Sequence, residues 1–434
     1  MRVVDLILRK REGGHLTRAE VDGLVQGITD GSIPEYQTAA LLMAIVFRGL
    51  DPDETAWLTD AMVRSGRRVD LSSLPGVKVG KHSTGGVGDK MSLVVVPIVA
   101  ACGALVPKSS GRALGHSGGT IDKLESIPGF RVDMPMQECL AVLGELGLFF
   151  VGQTPDLAPA DKKLYALRDV TGTIESVPLI ASSIMCKKIA EGADALVLDV
   201  KVGRGAFMKT TEDARRLAGA MVEIGRLVGL PTRAVLTAME APLGRAIGNA
   251  LELIESIETL KGRGPADVTE LSATLASHML VVAGVAADET TARARVAEAV
   301  ASGAAVDKLR AVIARQGGDA SVVDDYSRLP STAAREAVPA PQRGFIVGID
   351  AERIGRASML LGAGRQRLDA PIDYGAGILI RASVGQNVDA GQPLADLCIG
   401  RHAQLDDARA LAASAFTFGD APPPAGPLVY DVVG

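Results

Sequence analysis

Aromatic side chains are scarce in this chain: one Trp, five Tyr and eight Phe among 434 residues. The core must therefore be built from Leu, Val, Ile and Ala. Hydrophobic residues still make up 47% of the chain, which excludes disorder. Cysteine is equally sparse. Cys102, Cys139, Cys186 and Cys398 stand far apart, with no CxxC and no Cys/His metal spacing, and read as reduced, partly buried thiols of a cytosolic protein. A basic excess is missing too: the formal net charge is −5, which argues against a nucleic-acid surface. Nor is there a long apolar run. The longest, Leu93 to Val106, is interrupted by Pro97, Cys102 and Gly103 and is too short to span a bilayer. The opening MRVVDLILRKREGG runs into charge without the apolar core and cleavage site of a signal peptide, so a cytoplasmic protein with no membrane role is expected.

What is present is concentrated between residues 81 and 125. KHSTGGVGDKMS and PKSSGRALGHSGGTIDKLE are glycine-rich, hydroxyl-rich loops on either side of the apolar segment. The first brings Lys81, His82 and Lys90, the second Lys108, Arg112 and His116. Bare N–H groups, hydroxyls and ammoniums are what a phosphate needs, and glycine lets the main chain approach the anion closely. Either loop alone reads equally well as a tight turn of an α/β protein. A Walker loop is excluded, because Gly85-Gly86-Val87-Gly88-Asp89-Lys90 has the wrong spacing and is followed by Met91. GGVG does not supply the GxGxxG of a dinucleotide site. Basic residues gathered in an acidic chain favour a small anionic ligand: phosphate or a phosphate ester.

Length predicts two or three domains. Residues 1–66 read as helices: Thr17 and Glu20 form a capping box, Tyr36–Phe47 is an apolar helix, and Asp51 or Asp53 starts the helix carrying Trp57. Residues 69–79 read as a linker. Strand-like runs at Leu93–Val96, Ala104–Val106, Phe149–Val151 and Ala195–Val200 alternate with helical stretches at Met136–Leu146 and Glu212–Val228, the pattern of a parallel α/β sheet. Residues 159–191 read as helical again. Beyond Val338 the pattern becomes short β-pieces, Gly344–Ile349, Gly377–Arg381 and Pro393–Ile399. SVGQNVDAGQPLADL resembles a biotinyl-type turn, but without a Met-Lys-Met hairpin no attachment function follows. The tail APPPAGPLVYDVVG predicts one final strand.

KHSTGGVGDK, SGRALGHSGGTIDKLESIPGF, LAPADKKLYALRDVTGTIESVPLIASSIMCKK and LVLDVKVGRGAFMK together resemble the thymidine and pyrimidine-nucleoside phosphorylase family over essentially the whole chain. Ser110–Glu125 matches its diagnostic pattern, departing only at Ala113 and Ser117, where Gly and Thr are more usual. The resemblance implies an α/β fold: a helical domain (1–66 plus 160–192), a large mostly parallel α/β phosphate-binding domain (80–152 plus 195–335) and a β-rich α+β C-terminal extension (338–434). It implies a homodimer through the helical domain and an active site in the cleft, with 66–80 and 152–160 as hinges.

The implied activity is reversible phosphorolysis of thymidine, deoxyuridine and uridine to free base and (deoxy)ribose 1-phosphate, a pentosyl transfer with inorganic phosphate as co-substrate and no organic cofactor. The family places phosphate at Lys81, Ser83, Ser92, Ser110 and Thr120, and Lys108 and Ser109 are close enough in sequence to join them. Ser92 and Thr120 read equally well as helix N-caps. Arg168, Ser183 and Lys187 are implied at the base edge and His82 near its O2, where a group titrating near neutrality could donate a proton or a hydrogen bond. Ser183 and Lys187 are four apart, on one helix face. On residues alone, Arg168 reads as a surface ion pair with Asp169 or Glu175. Leu114, Ile180 and Phe207 are implied as apolar walls, and His116 as a supporting hydrogen-bonder.

Lys108 tilts the reading towards the broader pyrimidine-nucleoside enzymes, and away from strict thymidine phosphorylases, as an extra donor for phosphate or ribose. Some relatives hold a monovalent cation through positions matching Gly88, Leu243, Ala246 and Glu255, with a Thr at position 90. Here Lys90 can set its ammonium against Glu255 in the ion's place, so potassium independence is expected. Two alternatives remain. A phosphoribosyltransferase of related architecture needs magnesium-binding paired acids that this sequence lacks. A non-catalytic nucleoside-binding protein is disfavoured by Lys81, His82, Arg168, Ser183 and Lys187 occurring together.

Overall fold

The computed structural model describes residues 2–113, 118–153, 156–365 and 370–434. Four helices open the chain: α1 (Val3–Arg11), α2 (Arg18–Asp30), α3 (Glu35–Arg48) and α4 (Pro52–Arg64). Thr17 and Asp51 cap α2 and α4, each closing a capping box with Glu20 and Glu54. Glu54 is fully buried and also meets the Lys10 ammonium of α1 at 2.8 Å.

The chain then alternates strand and helix: β1 (Val79–Ser83), α5 (Met91–Ala101), β2 (Val106–Ser110), α6 (Thr120–Glu125), α7 (Met136–Leu146) and β3 (Leu148–Gly152). Next come α8 (Pro159–Thr171), α9 (Val177–Ala190), β4 (Ala195–Val202), α10 (Thr211–Leu227) and β5 (Thr232–Ala238). β1, β4 and β5 pair in parallel, and β2 pairs in parallel with β3. A single parallel bridge, Lys78 to Leu105, joins the two sets.

The strand expected at Leu93–Val96 is instead the middle of α5. Parallel β1 and β2 need a crossover, and a helix is the usual one. Leu93, Val94, Val95, Val96, Ile98 and Val99 are each at most 2% exposed. Burying each contributes about 1.5 kcal/mol or more, whereas a β-branched residue costs a helix only about 0.5 kcal/mol, so packing overrides local preference. Strand β2 likewise begins at Val106, two residues later than the expected run.

Helices α8 and α9 return to the first four, and their shared core continues without a break onto one face of the sheet. It includes Leu41 and Met62, Leu164, Met185 and Ile189, and Leu196, Leu198, Val200 and Leu236. The two connections between lobes run side by side: the Arg67 N–H donates to the Asp156 carbonyl at 3.0 Å.

After β6 (Ala246–Ile247) come four helices, α11 (Asn249–Leu260), α12 (Ala266–Val282), α13 (Glu289–Ala301) and α14 (Ala304–Arg315). The C-terminal part holds β7 (Ala334–Pro339), β8 (Gly344–Ile349), α15 (Ala351–Ser358), β9 (Gly377–Ile380), β10 (Asn387–Val388), β11 (Pro393–Ile399), α16 (Leu405–Ser414) and β12 (Phe416–Gly419). It is stitched to the rest twice. β6 is an edge of its sheet β6-β9-β11-β7, and the last strand, β13 (Val429–Val433), lies antiparallel to β5 in the main sheet. Among the described residues no helix is long and apolar enough to cross a membrane.

Candidate active site

The first glycine-rich loop leaves the C-terminal end of β1, and Asp89 ties it: one carboxylate oxygen accepts from the Ser83 hydroxyl at 2.5 Å, the other from Met91 N at 3.2 Å. Gly88 has φ +73°, and a Cβ there would collide with the Leu243 carbonyl, so only glycine fits. Lys81 lies on β1, 1% exposed, and its ammonium donates no hydrogen bond among the described residues. It sits 3.6 Å from Asp199, a carboxylate that also meets the Lys201 ammonium at 2.9 Å and accepts from the Thr237 hydroxyl at 2.6 Å. The Ser110 hydroxyl at the end of β2 is also buried and makes no hydrogen bond among the described residues. A buried ammonium and a buried hydroxyl in that state carry a desolvation cost that an anionic ligand would offset. Ser92 and Thr120 stand in the first turns of α5 and α6, but Lys90 and Gly119 are the N-cap residues, so neither hydroxyl acts as the cap.

Besides Ser83, two further residues of the expected phosphate set are engaged elsewhere. The Ser109 hydroxyl donates to Glu191, which also meets the Lys188 ammonium at 2.5 Å. The Lys108 ammonium donates to the Lys81 carbonyl at 3.0 Å, bracing β1 against β2 rather than standing open for phosphate or ribose. Burial, then the Lys188 and Lys81 ammoniums, pushes Lys108 well below the usual lysine range against the pull of Glu191 and Asp89. Arg112 is likewise taken up, by Asp122 at 3.3 Å and by Glu125.

His82 differs from expectation in its charge. Burial and the ammoniums of Lys188, Lys108, Lys81 and Lys187 hold its ring well below the ordinary histidine range. It is therefore neutral near pH 7: it can give or take a hydrogen bond but is no store of an acidic proton.

The opposite wall is helical. The Arg168 guanidinium is 2% exposed and donates to three carbonyls, Thr173 at 3.1 Å, Ile174 at 2.7 Å and Leu179 at 3.2 Å. This replaces the surface pair with Asp169 or Glu175. Of five N–H donors two remain, on a group that cannot swing away. On α9, Ile180, Ser183 and Lys187 follow one face at helical spacing, and the Lys187 ammonium meets Ser183 Oγ at 3.1 Å and Asp161 at 2.5 Å. Burial opposes the charge on Lys187, but Asp161 more than compensates and the group stays protonated. Phe207, beyond β4, is 51% exposed. Leu114, His116 and Ser117 lie outside the described residues.

Beside the first loop, the Lys90 ammonium donates to the carbonyls of Leu243 at 2.7 Å and Ala246 at 3.2 Å and pairs with Glu255 at 2.6 Å. It contacts three of the four positions named above for a cation.

The sequence reading did not single out Asp89, Asp161, Lys188, Glu191, Asp199 or Lys201. A signal existed for two of them: Asp199 and Lys201 interrupt the apolar strand LVLDVKV, all of whose residues are buried. Charge inside a buried strand is rare without a partner or a task.

Comparison with known proteins matches three segments. Residues 4–66 match the glycosyl transferase family helical bundle domain, 76–306 the a/b domain of the same family, and 345–419 the pyrimidine nucleoside phosphorylase C-terminal domain. The pyrimidine-nucleoside phosphorylase of Bacillus subtilis (strain 168) is 54% identical over 401 residues, covering 92% of this chain and 93% of that one. That of Geobacillus stearothermophilus is 50% identical over 433 residues and covers both chains in full. Among solved structures, anthranilate phosphoribosyltransferase from Thermus thermophilus superposes with a TM-score of 0.59 at 22% identity, over 71% of this chain and 98% of its own, a likeness of fold alone. Matched in its helical, α/β and C-terminal parts, and sharing half its residues with relatives over its whole length, the chain belongs to the thymidine/pyrimidine-nucleoside phosphorylase family.

Proposed function

We propose that this protein catalyses the reversible phosphorolysis of pyrimidine nucleosides, thymidine, deoxyuridine and uridine, to free base and (deoxy)ribose 1-phosphate. A phosphate oxygen bonds to C1′ as the C1′–N1 bond breaks, and the bond's electron pair leaves with the base. The enzyme has to hold phosphate on one side of the sugar and stabilise charge growing on the pyrimidine carbonyls on the other. The observation that carries the reading is the pair of buried donors at Lys81 and Ser110, neither of which makes a hydrogen bond among the described residues. Ser83, Ser92 and Thr120 complete the phosphate side in this reading. Arg168, Ser183 and Lys187 donate to the base, with neutral His82 hydrogen-bonding near its O2, and Ile180 and Phe207 flank it. Inorganic phosphate is the co-substrate, and the Lys90 ammonium does the work of a monovalent cation.

A homodimer through the helical region is part of the same reading. Its support is an apolar patch on α1 and α3, where Phe47 is 78% and Met43 37% exposed beside Ile7 and Ala40.

The test is base release from thymidine and uridine, with and without inorganic phosphate, in potassium-free and magnesium-free buffer. Phosphate-dependent release of both bases is expected. Thymine alone makes the protein a strict thymidine phosphorylase. No release from a folded protein returns it to a nucleoside-binding role.

A further inference from the structure

The second glycine-rich loop is pinched at its neck by one carboxylate. Asp122, fully buried on α6, accepts the Ala113 N–H at 2.6 Å on one oxygen and the Arg112 guanidinium at 3.3 Å on the other. Gly119 closes the neck from the far side, and a Cβ there would collide with Ala113 N and the same carboxylate. Ser110 and Thr120, both read above as phosphate donors, flank this neck. One turn along α6, Glu125 grips Arg112 through both oxygens, one contact measuring 2.6 Å.

The remaining donors to this acid pair come from the C-terminal part of the chain, some 240 residues away in sequence. The Arg365 guanidinium reaches Asp122 at 3.0 Å, and the Tyr374 hydroxyl donates to Glu125 at 3.2 Å. The segment is anchored where it arrives: the Asn249 side chain donates to the Ala363 carbonyl at 2.9 Å, and Ala250 N to the Tyr374 carbonyl at 3.0 Å.

We propose that Arg365 is a positioning residue for phosphate, clamping the Asp122 carboxylate so that the loop neck at 112–113 and 119–120 holds Ser110 and Thr120 in anion-binding geometry. The C-terminal region is then part of the phosphate machinery and not only a structural extension. The chemistry is simple. A buried carboxylate needs its charge answered, and Arg112 alone, 48% exposed at its side chain, is a poor guarantor of one geometry. Arg365 is 21% exposed and supplies a second cation to the same carboxylate oxygen. With both guanidiniums on one oxygen of Asp122, the other is held against Ala113 N at the neck.

This inference rests on the reading of the loop as a phosphate site, so the experiment separates the two. Inorganic phosphate binding by the full chain is measured by calorimetry, and phosphate and nucleoside KM by steady-state kinetics, for the parent, Arg365→Ala, Arg365→Lys and Tyr374→Phe. Arg365→Ala is expected to weaken phosphate binding and raise phosphate KM on the order of tenfold to a hundredfold, the scale of a misplaced binding group. Nucleoside KM should stay within about threefold, and Arg365→Lys, which keeps the charge without the fork, should recover part of the loss. A merely structural role would lower the active fraction, and so apparent kcat, with phosphate KM unchanged. Unchanged phosphate affinity in Arg365→Ala overturns the inference; if that variant does not fold, unchanged affinity in both Arg365→Lys and Tyr374→Phe does so. A parent that binds no phosphate overturns the phosphate reading itself.

Discussion

Lys90 offers the sharpest test of how electrostatics is arranged around the first loop. Its ammonium is buried against two carbonyls and Glu255, whose own side chain is 11% exposed. Replacing it by threonine removes a charge of the right size from a pre-built cage. Breaking a buried pair by taking one partner costs about 3–5 kcal/mol. Glu255 keeps hydrogen bonds from Arg245 N at 2.9 Å and Ala246 N at 3.1 Å, so the lower figure, about 3 kcal/mol, applies. At about 2–3 °C per kcal/mol for a domain of this size, Lys90→Thr should melt roughly 6–9 °C below the parent in choline buffer. The emptied cage should then take up potassium. With a Kd of about 10 mM, 100 mM potassium returns about 1.4 kcal/mol, or roughly 3–4 °C. The assay is thermal unfolding and base release in choline, sodium and potassium chlorides at matched ionic strength. Potassium should raise the melting temperature and activity of the variant and leave the parent unmoved. Severalfold activation of the parent by potassium, or a variant melting within about 1 °C of it, refutes the idea that the ammonium does a cation's work.

His82 should leave a signature in acid. The unfolded chain takes up a proton near pH 6.5 while the folded ring, held well below that, does not, so stability falls as pH drops below about 6.5 and is unaffected above. His82→Asn should flatten the denaturant-derived stability profile between pH 5 and 6.5 by up to about 1.4 kcal/mol per pH unit, and an unchanged slope sinks the assignment. Lys187→Met should cut nucleoside kcat/KM on the order of a hundredfold or more, the scale of a lost oxyanion donor, with phosphate KM nearly constant; a reversed split would move Lys187 to the phosphate side. Phe47→Glu should convert a dimer to a monomer by light scattering, and a parent already monomeric, or a variant still dimeric, removes the patch as an interface.

The parts of this fold legible in the sequence are those set by local chemistry. The capping box at Thr17 forms as read, Asp51 is the one of the two expected aspartates that starts α4, α7 and β8 fall on their expected residues, and the glycine loops lie beside one another because β1 and β2 do. What failed was decided at long range. Leu93–Val96 carries strand-forming residues and no polar face, so nothing in its periodicity tells a buried helix from a buried strand. The return of Val429–Val433 to the edge of the main sheet has no local signal at all. The same division holds in the site. Candidate donors could be named from motif, but their state could not: that Ser109 is committed to Glu191, that Arg168 is lashed to three carbonyls, and that burial, with nearby lysines, keeps His82 neutral are matters of tertiary packing.

Those facts also bear on how the two half-sites communicate. The base-side donors Ser183 and Lys187 stand on α9, and the next turn of that helix carries Lys188 and leads to Glu191, the residue that accepts the Ser109 hydroxyl of β2. Immediately before Ser109 is Lys108, bound to the carbonyl of Lys81, and immediately after it is Ser110, whose buried hydroxyl makes no hydrogen bond among the described residues. One short chain of contacts therefore runs from the helix that would read the base to the strands that would hold phosphate. From Lys188 to Lys81 its links are nearly inaccessible to water, where charge-assisted hydrogen bonds are strongest. A movement that widens the cleft either keeps the Glu191–Ser109 contact, and then pivots about the cleft floor, or breaks it and gives up a buried, charge-assisted hydrogen bond. The first is the cheaper course. The floor made by α9 and β2 is thus the element whose rigidity keeps the base and phosphate donors in register.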